Sequence, residues 1–306
     1  MGSASWNGSR LPMPTTESIF ARYEEVRPRL PVNATRPGFR DIGSLLDIAD
    51  QASAFVFDAF GVLNVGETLI EGADVRLDEL RGRGCQIRIL TNAASYDRSG
   101  AIQKFQRLGV RVEDSEIITS RDATLASVTP GVWGVVAARE DDLIDLTVET
   151  IRLEENETDY DRVSGFVFLS SSGWTERRQM ILASSLARNQ RPVLIANADL
   201  AAPRDDAFSL EPGHFGHSLA DAGIADVRFF GKPFTDVYRL VEQSLPTTPA
   251  NRIVMCGDSL HTDILGAAAR GWRSVLVTKD GLFAGHATED YCHRSGIFPD
   301  WRVARI

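Results

Sequence analysis

Ala54-Phe55-Val56-Phe57-Asp58-Ala59-Phe60-Gly61-Val62 is the stretch on which the reading of this chain turns. Four consecutive apolar residues without alternation are the mark of a strand buried on both faces of a parallel sheet. Open α/β sheets place their reacting groups just beyond the carboxyl ends of such strands. Asp58 stands at that point, and Gly61 allows the backbone a sharp turn beside it.

Outward from this stretch, strand-like and helix-like segments alternate. Asp74–Arg83 reads as a helix closed by Gly84, Gln86–Leu90 as a strand delivering Thr91 and Asn92, and Ser99–Leu108 as a helix closed by Gly109. Ile117–Thr119 is a short strand ending at Ser120. A second set follows from Gly131: Val132–Ala137, Gly165–Leu169 and Pro192–Ala196 are strand-like, Thr175–Arg188 is helical, and the acidic stretch Glu149–Asp161 reads as an exposed loop or edge. The alternation returns at Val227–Phe230, Asp236–Ser244, Ile253–Cys256, Thr262–Arg270 and Ser274–Val277. This pattern predicts an α/β fold, a Rossmann-like, doubly wound parallel sheet interrupted by an insertion. The expected boundaries are an N-terminal arm over 1–41, a core over 42–127 and 226–306, and an α/β cap over 128–225. Within the arm, residues 1 to about 16 are rich in Gly, Ser, Asn and Pro and are expected to be disordered, and Ser18–Arg27 has helical character.

Composition narrows the function classes. The 306 residues are 43% apolar, enough for a true core, and the net charge of -9 disfavours nucleic acid or an anionic membrane as the main partner. Cys85, Cys256 and Cys292 lack C-x-x-C spacing, which argues against a disulfide framework or a zinc site. Met1–Arg10 has no apolar core of a signal peptide, and no apolar run is long enough to cross a bilayer. A cytoplasmic location is the expectation.

Four segments carry chemistry: Asp58-Ala59-Phe60-Gly61-Val62, Leu90-Thr91-Asn92, Gly231-Lys232-Pro233, and Gly257-Asp258-Ser259-Leu260-His261-Thr262-Asp263. Singly they are ordinary. An Asp after a strand is usually a cap or turn residue, and a Lys before Pro is usually solvated. Two carboxylates beside a tight turn suit a hard divalent cation. Order and shared placement at strand ends raise all four together.

That ordered set resembles the haloacid dehalogenase-like (HAD) hydrolase superfamily. It is most similar to the subclass IIA branch, with NagD-like and p-nitrophenylphosphatase-like enzymes, in which a large α/β cap follows the second motif. Ile70-Glu71-Gly72-Ala73, Ile117-Ile118-Thr119-Ser120, Ala196-Asn197-Ala198-Asp199, Pro203 and Glu211-Pro212-Gly213 extend the likeness. The resemblance implies a phosphatase acting on a small phosphorylated metabolite, a sugar phosphate or nucleotide-like compound. Asp58 would be the nucleophile and form an aspartyl-phosphate. Asp58, the Phe60 backbone carbonyl and Asp258 would hold Mg²⁺, with Asp263 supporting them from behind. Thr91 and Asn92 would grip phosphoryl oxygens, and Lys232 would neutralise charge. Asn197, Asp199 and the Glu211–His217 loop would select the substrate. A homodimer is admitted by the resemblance alone.

One position departs from the pattern. Phosphatases of this superfamily carry a second Asp two residues after the nucleophile, as general acid and base; here Phe60 stands there. Such a loss lowers rates by roughly 10²–10⁴-fold. Three readings remain: a slow phosphatase or one restricted to good leaving groups, with His214 or His217 as substitute proton carriers; a protein that binds metabolites without turnover; or a dehalogenase-type hydrolase. Dehalogenases place a Tyr at this position, but they work without Mg²⁺ and lack the acidic fourth segment.

Overall fold

The computed structural model describes residues 14–204 and 207–306. The disorder expected at the amino terminus falls, up to residue 13, outside the described residues.

The strand Ala54–Phe57 is buried on both faces. Phe55 and Phe57 enter one apolar cluster with Leu77, Ile87 and Val275. Ala54 and Val56 enter another, which also contains Trp133 and Val135 of the second sheet. Each phenylalanine is fully buried, which contributes about 1.5–3 kcal/mol relative to exposure. The strand is the third from one edge of a seven-stranded sheet. On one side lie Gln86–Thr91 and then Ile117–Thr119; on the other lie Ile253–Gly257, Arg273–Val277, Trp301–Val303 and Arg40–Asp41. All pairings in it are parallel. The chain moves off to one side before the insertion and returns on the other, so the switch point lies between Ala54–Phe57 and Ile253–Gly257. That crevice is where open sheets bind ligands.

The insertion forms a second parallel sheet of five strands, ordered Val227–Phe229, Val193–Ile195, Gly165–Phe168, Val132–Val136 and Glu149–Arg152. Glu149–Arg152 is an edge strand, and Glu157–Asp161 after it is a short helix. Val227–Phe229 corrects the expected boundary at 226: it pairs in register with Val193–Ile195 of the second sheet and does not join the core sheet. A short apolar strand states that it is buried, not which sheet it completes.

From Thr16 onward the N-terminal arm is part of the body. Arg40–Asp41 is an edge strand of the core sheet. The helix Thr16–Val26 buries Ile19, Phe20 and Tyr23 in a cluster that spans Leu260, Ile264 and Phe298 of the core and Leu200 of the insertion. The carboxyl-terminal region ends in the strand Trp301–Val303, with Trp301 2% exposed beneath the Arg273 guanidinium.

Candidate active site

Asp58 is held at its strand end by its own N–H, which donates to the Cys256 carbonyl at 2.9 Å. Its Oδ1 accepts from the Ala59 N–H at 2.7 Å and meets Lys232 Nζ at 2.6 Å. Lys232 is 1% exposed and bridges to Asp263 Oδ1 at 2.8 Å. Asp263 in turn accepts from the Ser259 N–H at 3.1 Å, and Asp258 accepts from the Leu282 N–H at 2.7 Å. Asn92 positions the lysine: its Oδ1 accepts from the Lys232 N–H at 2.6 Å, and its Nδ2 donates to the Lys232 carbonyl at 3.1 Å and to Asp199 Oδ1 at 2.8 Å.

Two glycines make room for these carboxylates. A Cβ at Gly257 would come within 2.1 Å of the Asp263 carboxyl carbon. Gly61 has φ +75°, and a Cβ there would come within 2.7 Å of Asp258 Oδ2. The motif glycines are thus a consequence of close carboxylate packing as well as of turning.

Carboxylate oxygens of Asp58, Asp258 and Asp263 lie within 4.8 Å of one another, and one lysine stands among them. Burial pushes Asp263 up to about 6, although Lys232 pulls it back. Burial, then Asp58 and Asp263, raise Asp258 well above the usual carboxylate range. For Lys232, burial works downward, but Asp263 and Asp58 outweigh it and hold the ammonium charged. Ionised, the three carboxylates outnumber the one cation, and that surplus is what burial resists. Ser259 Oγ beside them is buried and has no partner among the described residues. An all-oxygen donor set with surplus negative charge fits a hard divalent cation.

Above this cluster opens a cavity of about 690 Å³ between the two sheets. Asp58, Phe60, Thr91, Asn92, Asn197, Asp199 and Asp258 all line it. Lys232 and Asp263 lie beneath it, fully buried. The structure therefore gathers Asp58, Phe60, Thr91, Asn92, Asn197, Asp199, Lys232, Asp258 and Asp263 around one crevice.

Family models agree with the architecture. That of the haloacid dehalogenase-like hydrolases matches residues 55–130, and an HAD-hydrolase-like model matches 229–300. Both segments of the core are thus similar to HAD-like hydrolases. The gap between the two HAD matches contains four of the five strands of the inserted sheet. Phosphoglycolate phosphatase 1A of Arabidopsis thaliana is 37% identical over 79 residues, 26% of this chain. That match spans only 22% of the relative's length. Glycerol-3-phosphate phosphatase of Homo sapiens is 24% identical over 285 residues, covering 82% of this chain and 88% of that one. The crystal structure of a possible sugar phosphatase of the HAD superfamily from Cytophaga hutchinsonii superposes with a TM-score of 0.76 at 22% identity, covering 88% and 98% of the two chains.

Within this fold the cap residues behave differently from their sequence reading. Glu211–His217 is not a loop. Glu211 stands just before the helix Pro212–Asp221, which Pro212 can begin because the first turn needs no N–H from it. His217 is 1% exposed, stacks on Phe229 at 4.2 Å, and burial drives its imidazole down to about 3. His214 is half-buried on the same helix. Neither histidine lines the cavity, so neither is placed to replace the missing acid. Asn197 spends its amide on Glu211 at 3.1 Å, and Glu211 also accepts from Arg204 and Ser209. Asp199, half-buried, is raised to about 8 by burial, against the pull of Lys232 and with a push from Asp58.

Three cavity residues escaped sequence reasoning. Tyr23 arrives from the arm, where its hydroxyl accepts from the Leu200 N–H at 3.2 Å and its ring stacks on His261. Ser259 lies inside the fourth segment, where its residue type alone assigns it no role. Lys104 is 4% exposed on the helix Arg98–Arg107, on the same buried stripe as Ala101 and Phe105. A lysine on an apolar i, i+3, i+4 stripe was the signal for it.

Proposed function

We propose that the protein is a Mg²⁺-dependent phosphatase of small phosphorylated metabolites, with Asp58 as nucleophile. The observation that carries this is the asymmetry of Asp58. Its Oδ1 is engaged by Lys232 and the Ala59 N–H, whereas Oδ2 has no partner among the described residues and belongs to a side chain lining the cavity. One oxygen is oriented and the other is free to attack phosphorus.

Asp58, the Phe60 carbonyl and Asp258 would hold the cation, with Asp263 behind them. When bound, it would neutralise charge on the phosphoryl oxygens and polarise them. Thr91 and the Asn92 N–H grip the phosphoryl group. Lys232, kept charged by its two carboxylates, lowers the repulsion between Asp58 and the incoming phosphate. Attack by Oδ2 forms an aspartyl-phosphate and expels the alcohol oxygen, and water then releases inorganic phosphate. Phe60 can neither protonate the leaving oxygen nor take a proton from the water, so turnover is slow or confined to good leaving groups.

The competing reading, metabolite binding without turnover, rests on Phe60 alone. Phosphate release from a panel of phosphomonoesters, with Mg²⁺ and with EDTA, separates the two. Metal-dependent release supports the phosphatase. No release from any ester, including p-nitrophenyl phosphate, would leave the binding protein.

A further inference from the structure

Phe60 removes a carboxylate from the cavity, and two cations surround what replaces it. Lys104 Nζ stands over the Phe60 ring at 4.0 Å from its centroid, and the Arg204 guanidinium stands over the same ring at 5.8 Å. Both side chains line the cavity beside Asp58. Lys104 is 4% exposed; among the described residues its ammonium has neither a hydrogen-bond acceptor nor an ion-pair partner, and the carboxylates whose charge reaches it are Glu67 and Asp58. A ring face attracts a cation but accepts none of its three N–H donors in the way an oxygen does. An ammonium that faces a cavity from a buried side chain, with no hydrogen-bond acceptor of its own, is a group whose partner arrives with the ligand.

We propose that Lys104 and Arg204 form a second anion subsite over Phe60, and that the preferred substrate is a phosphomonoester carrying a carboxylate. This rests on the phosphatase reading and narrows the substrate class from sugar phosphates and nucleotides to small phosphorylated acids. Charge selects a carboxylate over a second phosphate. Arg204 is already matched by Glu211 at 3.1 Å, so the charge left without a direct ion-pair partner is the single one of Lys104. Glu67, exposed at the cavity rim, adds negative charge and further disfavours a dianion.

Three esters of similar size test this: phosphoglycolate, ethyl phosphate and phosphoethanolamine, with carboxylate, neutral and cationic ends. The expected order of kcat/KM is phosphoglycolate over ethyl phosphate over phosphoethanolamine, with at least about tenfold between the first and last. Lys104→Met should collapse that ratio to within about threefold, and Lys104→Arg should retain it. Arg204→Gln, at an exposed side chain, should shift the ratio the same way but less. A wild-type ratio near one, or a ratio indifferent to Lys104→Met, overturns the proposal. Binding of phosphonoacetate to Asp58→Asn protein by calorimetry tests the subsite without turnover. Affinity that falls at least about tenfold with added Lys104→Met, but is unchanged for ethylphosphonate, sustains the subsite even if no ester is hydrolysed. Affinity unchanged by Lys104→Met overturns it whatever the phosphatase assay shows.

Discussion

Lys232→Met is the perturbation with the clearest expected size. The ammonium is 1% exposed, 2.6 Å from Asp58 and 2.8 Å from Asp263, and Asp263 has no exposed surface at all. Methionine fills a similar volume but leaves a buried carboxylate without its counter-ion. Breaking one side of such a pair costs about 3–5 kcal/mol. At roughly 2 °C per kcal/mol for a chain of this size, the apparent melting temperature should fall by about 6–10 °C. Adding Asp263→Asn removes the stranded charge, so the double variant should regain about 1–3 kcal/mol. Thermal scans and urea titrations of the four proteins complete the cycle. Activity should drop by about 10²–10³-fold in either lysine variant, because phosphoryl charge is no longer met. A single variant that loses less than about 1 kcal/mol, or a double variant that recovers nothing, would refute the view of Lys232 as the buried counter-ion of this cluster.

Other outcomes follow from the same geometry. Phe60→Asp should raise kcat for an alkyl phosphate by about 10²–10⁴-fold and much less for p-nitrophenyl phosphate, whose leaving group scarcely needs a proton. No gain on the alkyl ester would mean the crevice is remodelled beyond the missing acid. Saturating Mg²⁺, at about 100 times its dissociation constant, should stabilise the fold by about 2.7 kcal/mol in urea titrations, and Asp258→Asn should abolish that increment. His217 gives a pH dependence. Its folded-state pKa of about 3 lies below that of free imidazole, so the unfolded chain binds the extra proton and stability is lost as pH falls from about 6.5 toward 3. Between pH 6.5 and 5 the loss is about 2 kcal/mol, and His217→Gln should flatten it; an unchanged urea-midpoint difference would count against the buried neutral imidazole.

Much of this was legible in the chain because it is local. Asp58, Thr91 and Asp258 each follow a short apolar run, and a strand end fixes where the next residue stands. What escaped was set by partners far away in sequence. Tyr23 reaches the cavity only because its helix packs against residues from both ends of the fold, including Leu200 and Leu265. Val227–Phe229 has the composition of a core strand, and its pairing with Val193–Ile195 decides its sheet. His214 and His217 invited a catalytic reading by residue type, but the helix begun at Pro212 turns His217 into the packing under Phe229. Lys104 was hidden by the opposite habit, since a lysine on a helix is ordinarily read as solvated.

The central claim is that Asp58 is the nucleophile of a phosphoryl-transfer site, and p-nitrophenyl phosphate hydrolysis with and without Mg²⁺, in wild type and Asp58→Asn, tests it most directly. The account predicts Mg²⁺-dependent turnover by the wild type and none above background in the variant. Equal turnover by Asp58→Asn, or no turnover by either, would contradict it.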